Sequence, residues 1–199
     1  MTRPSAATKR GVTSGRPRIA LASEPTTRPR ETADTRILSA AHLAQGPLGE
    51  LSEFEFGLMV AHNAFSRWAM RCMAAAGMPD LAITDILVLH HVQHRDRSKK
   101  LSDICFTLNY EDTHVVSYAL KKLVSLGLLS SGKQGKEVFY AMTPAGRDLV
   151  QRYREIRRLC LLPAVSGDID DARHLADVAE LLRAMSGLYD QAARAAASL

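Results

Sequence analysis

The sequence predicts a mainly α-helical protein that carries one small β-hairpin. Two patterns support this. From Leu51 onward, apolar residues recur at spacings of three and four in segments separated by helix-stop signals. Residues 128–142 instead alternate apolar and polar side chains around a glycine-bearing turn. With 199 residues, of which 46% are hydrophobic, the chain can bury one principal core but not two large domains.

Residues 1–47 are predicted to form a disordered arm rich in Arg, Pro and Thr, because they show no apolar period. This arm holds eight basic and three acidic residues, which equals the +5 net charge of the whole chain. Charge is also uneven in the rest of the sequence. Between Arg95 and Arg158, thirteen basic residues stand against seven acidic ones. Such a basic middle suits contact with a polyphosphate, although charged faces that only meet solvent remain the alternative.

Residues 48–78 are predicted to form a long N-terminal helix, from about Leu51 to Ala76, that serves both the core and dimerisation. Gly77 and Pro79 supply its stop signal. One buried stripe is expected on this helix. It comprises Phe54, Leu58, Ala61, Phe65, Trp68 and Cys72.

Residues 79–143 are predicted to form the central core, which begins with two short helices. Thr84 is the expected cap of the first of these, and a polar run, residues 94–100, follows it. Ser102 or Asp103 is the expected cap of the next helix, which ends at a break around Asn109.

A strongly amphipathic fourth helix follows, with Asp112 or Thr113 as its cap and Gly127 as the left-handed residue after its end. Its expected buried residues are Val116, Ala119, Leu120 and Leu123. Its expected exposed residues are His114, Ser117, Tyr118, Lys121 and Lys122.

The hairpin is predicted from two short strands, residues 128–131 and 137–142, joined by a polar turn that carries Lys133 and Lys136. Thr143 then caps a fifth helix, with Pro144 at its first position. A lysine-tipped hairpin directly after an amphipathic helix indicates a winged helix-turn-helix. In that arrangement the fourth helix enters a DNA major groove and the hairpin lies along the backbone or an adjacent minor groove.

Residues 144–199 are predicted to form C-terminal dimerisation helices, the last running from Asp170 to Ala196. Its apolar stripe comprises Leu175, Val178, Ala179, Leu182, Met185, Tyr189 and Ala192. A small core cannot cover this stripe and the surplus on the first helix together. A second copy related by a two-fold axis would cover both, so a homodimer is expected.

Four segments resemble, in order and spacing, the winged-helix core of the MarR family of bacterial transcriptional regulators: ITDILVLHHV, LSDICFTLN, THVVSYALKKLVSLGLL and VFYAMTPAGRDLV. The resemblance covers residues 50 to 195. Its most specific parts are the T-x-V-S-x-x-L-x-x-L-x-x-x-G-L-L run, matched from Thr113 to Leu129 with one extra residue before Val116, and the segment MTPAG, Met142 to Gly146. The wing departs from the family, because GKQGKE replaces the usual Asp-x-Arg segment, and lysine lacks the planar fork of arginine.

The resemblance implies which residues meet DNA. Thr113, His114, Ser117 and Tyr118 would contact base edges or nearby phosphates. Phosphate contacts would come from Lys121 and Lys122 and from the wing tip, formed by Lys133, Gln134 and Lys136. Many members of the family bind small aromatic acids between the dimer helices and the core, so the resemblance makes Phe65, Trp68, Arg71 and Met73 a candidate ligand crevice.

Other kinds of site are weaker candidates. His90 and His94 are four residues apart, but zinc needs further converging ligands, so no metal and no cofactor are expected. Cys72 and Cys105 are expected to be packed thiols. No nucleophile elbow, phosphate loop or carboxylate pair is present, so the protein is not expected to be an enzyme.

The sequence therefore predicts a cytoplasmic, homodimeric transcriptional regulator that binds double-stranded DNA at an inverted repeat and responds, if at all, to a small aromatic effector. No membrane association is expected. The alternative is a winged-helix protein-interaction module that has lost DNA binding. The neutral ordered part, Glu111 and Asp112 at the entrance of the fourth helix, and the missing wing arginine are the features that keep this alternative open.

Overall fold

The computed structural model describes residues 49–168 and 172–199. The predicted N-terminal arm, residues 1–47, lies outside the described residues. The helices are α1 Gly49–Ala75, α2 Ile83–Gln93, α3 Leu101–Leu108, α4 Thr113–Ser125, α5 Pro144–Cys160, α6 Leu162–Asp168 and α7 Ala172–Ala196. The strands are β1 Lys99–Lys100, β2 Leu129–Gln134 and β3 Glu137–Met142.

The core lies where α2, α4 and α5 meet the C-terminal end of α1 and the base of the hairpin. Its largest fully buried side chains include Met73, Leu89, Leu120 and Leu149. Each such side chain stabilises the fold by about 1.5–3 kcal/mol relative to an exposed position. The predicted buried face of α4 is confirmed, because Val116, Ala119, Leu120 and Leu123 are all buried.

The apolar stripe predicted for the first helix is only partly buried within the protomer, which leaves the expected surplus uncovered. Only Ala69, Cys72 and Met73 of α1 are fully buried, whereas Phe65 keeps 48% of its surface exposed and Leu58 is also exposed. The apolar spacing on α1 is that of a helix, as predicted, but the small core covers only the last turns of this long helix.

Two of the predicted helix caps are confirmed. The Asp112 carboxylate accepts a hydrogen bond from the His114 N–H at 2.8 Å at the start of α4. The Thr143 hydroxyl accepts one from the Gly146 N–H at 3.0 Å at the start of α5, where Pro144 occupies the first position. These bonds satisfy backbone donors that have no partner inside the helix.

The other two predicted caps are wrong. The N-cap of α2 is Ala82, two residues earlier than the predicted Thr84, and the Asp85 carboxylate accepts the Ala82 N–H at 2.9 Å. The Thr84 hydroxyl instead lies 3.1 Å from that of Tyr110. Helix α3 begins at Leu101, before either predicted cap, because β1 runs directly into it.

The predicted hairpin belongs to a three-stranded antiparallel sheet of order β1-β3-β2. Strand β1 was not predicted, since two consecutive lysines show no strand pattern. Its residues pair with β3 as Lys99↔Tyr140 and Lys100↔Phe139. The hairpin turn is also shorter than predicted: Gln134 pairs with Glu137, which leaves a two-residue turn whose Gly135 has a φ of +64°. This conformation suits glycine at the first turn position.

Two helices follow α5, where one was predicted. Helix α6 precedes α7, and residues 169–171, which include the predicted start at Asp170, lie outside the described residues. Many apolar side chains of α7 are exposed in the protomer: Leu175, Val178, Leu181, Leu182 and Leu188. Polar contacts link α7 to the rest, including a 3.1 Å hydrogen bond from the Tyr189 hydroxyl to Glu55. In the described part of the chain, no helix is long and apolar enough to cross a membrane.

Candidate nucleic-acid interface

Helix α4 presents a polar face to solvent, opposite its four buried residues. Because side chains three and four positions apart share a face, His114, Tyr118 and Lys121 form the ridge of this face. All three are exposed, and Tyr118 keeps 72% of its surface accessible. Thr113 is exposed at the first position, and Ser117 is half-buried on one flank. The structure thus brings five of the predicted site residues to the exposed side of one helix.

Lys122 has a different environment from the one expected. Its ammonium forms a 2.7 Å ion pair with Asp85 and donates to the backbone carbonyl of Asp80, also at 2.7 Å. Only 28% of the Lys122 side chain and 5% of the Asp85 side chain are exposed. This pair fixes α4 against the start of α2. Lys122 therefore has a structural role in the protomer, with its ammonium bound by two partners.

The hairpin, here called the wing, carries the remaining predicted residues. Lys133, Gln134 and Lys136 are all exposed at or next to the turn. The nearest acid, Glu137, forms a 2.9 Å ion pair with Lys100 of β1. Because that pair neutralises the charge of Glu137, the net positive charge at the turn comes from Lys133 and Lys136. Neither has an ion pair with any residue that the structure describes.

The same ion pair gives Lys100 a role that the sequence did not suggest. Its ammonium lies 5.9 Å from the centre of the Phe139 ring, on one face of the sheet, and Glu137 raises the pKa of Lys100. Pairing residues 99–100 with β3 as a third strand would have placed Lys100 opposite Phe139 in the sequence analysis. Val115 was also missed: it is exposed on the flank of α4 next to a cavity of about 540 Å³ that Thr84 and Tyr118 also line.

Two acidic residues precede α4. Both Glu111 and Asp112 are exposed, but Asp112 is held in place by its capping hydrogen bond to the His114 N–H. Its charge therefore lies at the positive end of the helix dipole, where a carboxylate is stabilised. The capping role therefore explains the presence of Asp112, one of the two acidic residues.

The four residues of the candidate ligand crevice do not face a common space. Met73 is fully buried in the core, and Trp68 packs partly buried against that core. Arg71 is exposed and lies two positions from Met73, on the opposite side of the helix. Phe65 is half exposed towards the free end of α1. In the protomer Met73 therefore offers no surface to a ligand, and the crevice as a group stays a prediction.

The histidine and cysteine candidates have structural surroundings. His90 packs edge-on against Tyr153 with ring centres 4.5 Å apart, and burial, followed by Arg154 and Arg157, lowers the pKa of His90. Burial raises the pKa of both the Cys72 and the Cys105 thiol. Among residues 49–168 and 172–199, no three potential metal ligands converge.

Comparison with known proteins gives the fold an independent basis. Residues 81–146 match the family model of a winged helix DNA-binding domain. The comparison with curated protein sequences finds no match.

Three of the similar solved structures are bacterial or archaeal proteins. AbfR of Staphylococcus epidermidis is 13% identical, with a TM-score of 0.60 over 75% of this chain and 98% of that protein. A MarR family regulator from Rhodococcus sp. RHA1 is 13% identical, with a TM-score of 0.57 over 71% and 95%. A MarR transcriptional regulator from Methanosarcina mazei Go1 is 14% identical, with a TM-score of 0.56 over 68% and 90%.

The family match covers the segment from α2 to the start of α5, which holds α4 and the wing. The structural matches extend to the flanking helices. The chain is therefore a winged helix-turn-helix protein with the fold of the MarR-family transcription regulators.

Proposed function

We propose that this protein is a transcriptional regulator that binds double-stranded DNA as a homodimer at an inverted-repeat operator. The observation that carries the proposal is the common exposure of the α4 ridge and the wing lysines within a winged helix DNA-binding domain. Helix α4 supplies groups for base edges, Ser117 and Tyr118 among them. Lys121, Lys133 and Lys136 supply cations for phosphates.

The dimer is supported by apolar surface that the protomer leaves uncovered. On α1 this surface includes Leu58, Met59 and Phe65. On α7 it includes Leu182 and Leu188. Exposed apolar patches of this extent indicate an interaction surface, and a two-fold axis allows each copy to cover the other's helices. Two α4 helices then meet successive major grooves, with half-sites about 10 bp apart.

The DNA-binding proposal is tested by selecting genomic fragments on purified protein and then titrating the enriched duplex in gel shifts. If the dimer neutralises about 6 to 8 phosphates, affinity falls by about three to four decades between 50 and 200 mM salt. Failure to enrich any fragment, together with salt-independent retention, would instead favour the protein-interaction module.

Two sets of variants separate phosphate contacts from base readout. Lys133→Ala with Lys136→Ala removes two cations per subunit, so it should weaken binding to every sequence by a similar factor and reduce the salt slope of the dimer by about 4. Ser117→Ala or His114→Ala should change which bases are preferred, with a difference of about 1–3 kcal/mol at the affected position. Equal losses on all sequences from both sets would show that α4 does not read bases.

The dimer is tested separately by sedimentation. Leu182→Glu places a charge in the uncovered face of α7 and should convert the dimer into monomer. Arg183→Glu, one position away and exposed, serves as the matched control and should leave the dimer intact. A wild-type protein that sediments as a monomer at micromolar concentration would contradict the proposal.

A further inference from the structure

A second cationic region lies away from the α4 ridge and the wing tip. It is a cavity of about 510 Å³ enclosed by the end of α2, the turn that follows it, β1 and α3. Its charged and titratable lining residues are His91, His94, Arg95, Arg97, Lys99 and Asp103. No part of the proposed DNA interface lines this cavity.

The cavity holds unbalanced positive charge. Arg95, Arg97 and Lys99 face a single carboxylate, that of Asp103, which leaves a formal charge of +2. Neither arginine forms an ion pair with any residue between 49 and 168 or between 172 and 199. A cavity lined in this way attracts an anion, because each guanidinium presents several N–H donors in a fixed plane.

The excess positive charge contributes to lowering the pKa of two residues that line the cavity, Lys99 and His91. Burial, followed by the charges of Arg97 and Arg95, lowers the pKa of Lys99. Burial, followed by Lys99 and His94, lowers the pKa of His91, an effect that Asp103 only partly offsets. An anion bound among these groups would reverse the charge contribution to both shifts.

The fold holds these groups in place. Lys99 is buried, and its ammonium donates to the His94 carbonyl at 2.6 Å. The turn itself is in an uncommon conformation, with a φ of +63° at Arg95 and +42° at Asp96. Arg147 of α5 binds Asp96 at 3.3 Å and so braces the turn from the other side.

We propose that this cavity binds a phosphoryl group. A phosphate monoester carries about −1.5 to −2 charge near neutral pH, which balances the local +2, whereas a monocarboxylate would leave one cation uncompensated. Arg95 and Arg97 donate to its oxygens, Lys99 supplies a buried charge, and the Ser98 hydroxyl lies at the same cavity. The phosphoryl group comes either from a free small molecule or from the backbone of bound DNA.

The test uses histidine-selective NMR on the full-length protein, titrated with inorganic phosphate or with sodium chloride at matched ionic strength. Phosphate should shift the His91 and His94 resonances saturably and raise the pKa of His91 by about one unit, as an opposite charge within about 4–6 Å does. His62 and His90, which do not line the cavity, should not respond.

The double variant Arg95→Ala/Arg97→Ala should abolish the phosphate response. Arg71→Ala, another exposed arginine, should retain it, and a cooperative urea unfolding transition confirms that each variant is folded. A response to a mixed-sequence DNA duplex but not to phosphate assigns the phosphoryl group to the DNA backbone. No response to either, an equal response to chloride, or a response that survives in the double variant overturns the proposal. The outcomes with inorganic phosphate do not depend on whether α4 and the wing bind DNA, whereas the duplex arm rests on the proposed DNA binding.

Discussion

Removing the charge of Lys122 should destabilise the protein strongly, although the residue lies on the side of α4 first expected to meet DNA. Lys122→Met keeps most of the hydrocarbon stem but leaves the Asp85 carboxylate, 5% exposed, with the Ala82 N–H as its remaining partner. Breaking a buried pair in this way costs about 3–5 kcal/mol. We expect about 3 kcal/mol, the lower end, because 28% of the Lys122 side chain already meets water and the site can admit solvent.

The assay is urea unfolding at one fixed protein concentration, with the free energy of unfolding extrapolated to water. Asp85→Asn retains an oxygen for the Ala82 N–H, and the double variant Asp85→Asn/Lys122→Met removes both charges. The double variant should therefore be more stable than the sum of the single losses predicts, by about 1–2 kcal/mol. Lys121→Met is the control and should change stability by less than about 0.5 kcal/mol. A Lys122→Met variant as stable as the control, or strictly additive losses, would refute this reasoning.

Two further predictions concern stability. Gly146→Ala should lower the free energy of urea unfolding by about 1–3 kcal/mol or more, because the added methyl meets the backbone carbonyl of Leu128. Gly57→Ala, with open space around it in α1, is the control and should be neutral or slightly stabilising. Equal effects of the two changes would contradict the close approach of Gly146 to Leu128. The unfolding free energy should fall as the pH drops below about 6.5, because His90 binds a proton in the unfolded chain more readily than in the folded protein, where burial lowers its pKa. His90→Phe should reduce this dependence of stability on pH, measured by thermal unfolding at a series of pH values. An unchanged dependence would show that His90 does not contribute.

The sequence predicted most of the central domain because the signals there are local. The α4 pattern, the Asp112 and Thr143 caps and the β-rich run of the wing each depend on neighbouring residues, and all are present in the structure. Strand β1 depends on pairing with β3, forty residues away, and two lysines give no local sign of it. The sequence could not show which partner would satisfy Lys122 for the same reason: Asp85 lies on another helix.

The terminal helices show a different limit of sequence reasoning. Periodicity identified apolar stripes on the first and last helices, but it does not say whether the same chain or another copy covers them. The structure leaves Phe65 and Leu182 partly exposed within the protomer. In the proposed ligand crevice, Arg71 and Met73 are close in sequence, but they point to opposite sides of α1, so closeness in sequence did not place them together.

The carboxylate of Asp112 has a consequence for how a duplex could lie on this protein. The start of a helix ordinarily offers free N–H groups to a phosphate. Here the chain's own anion already occupies that position on α4, and Glu111 stands beside it. A strand of DNA brought to this end would meet two negative charges. We therefore expect a duplex to lie along the exposed ridge from His114 to Lys121, with its phosphates kept away from Glu111 and Asp112 and placed toward the wing.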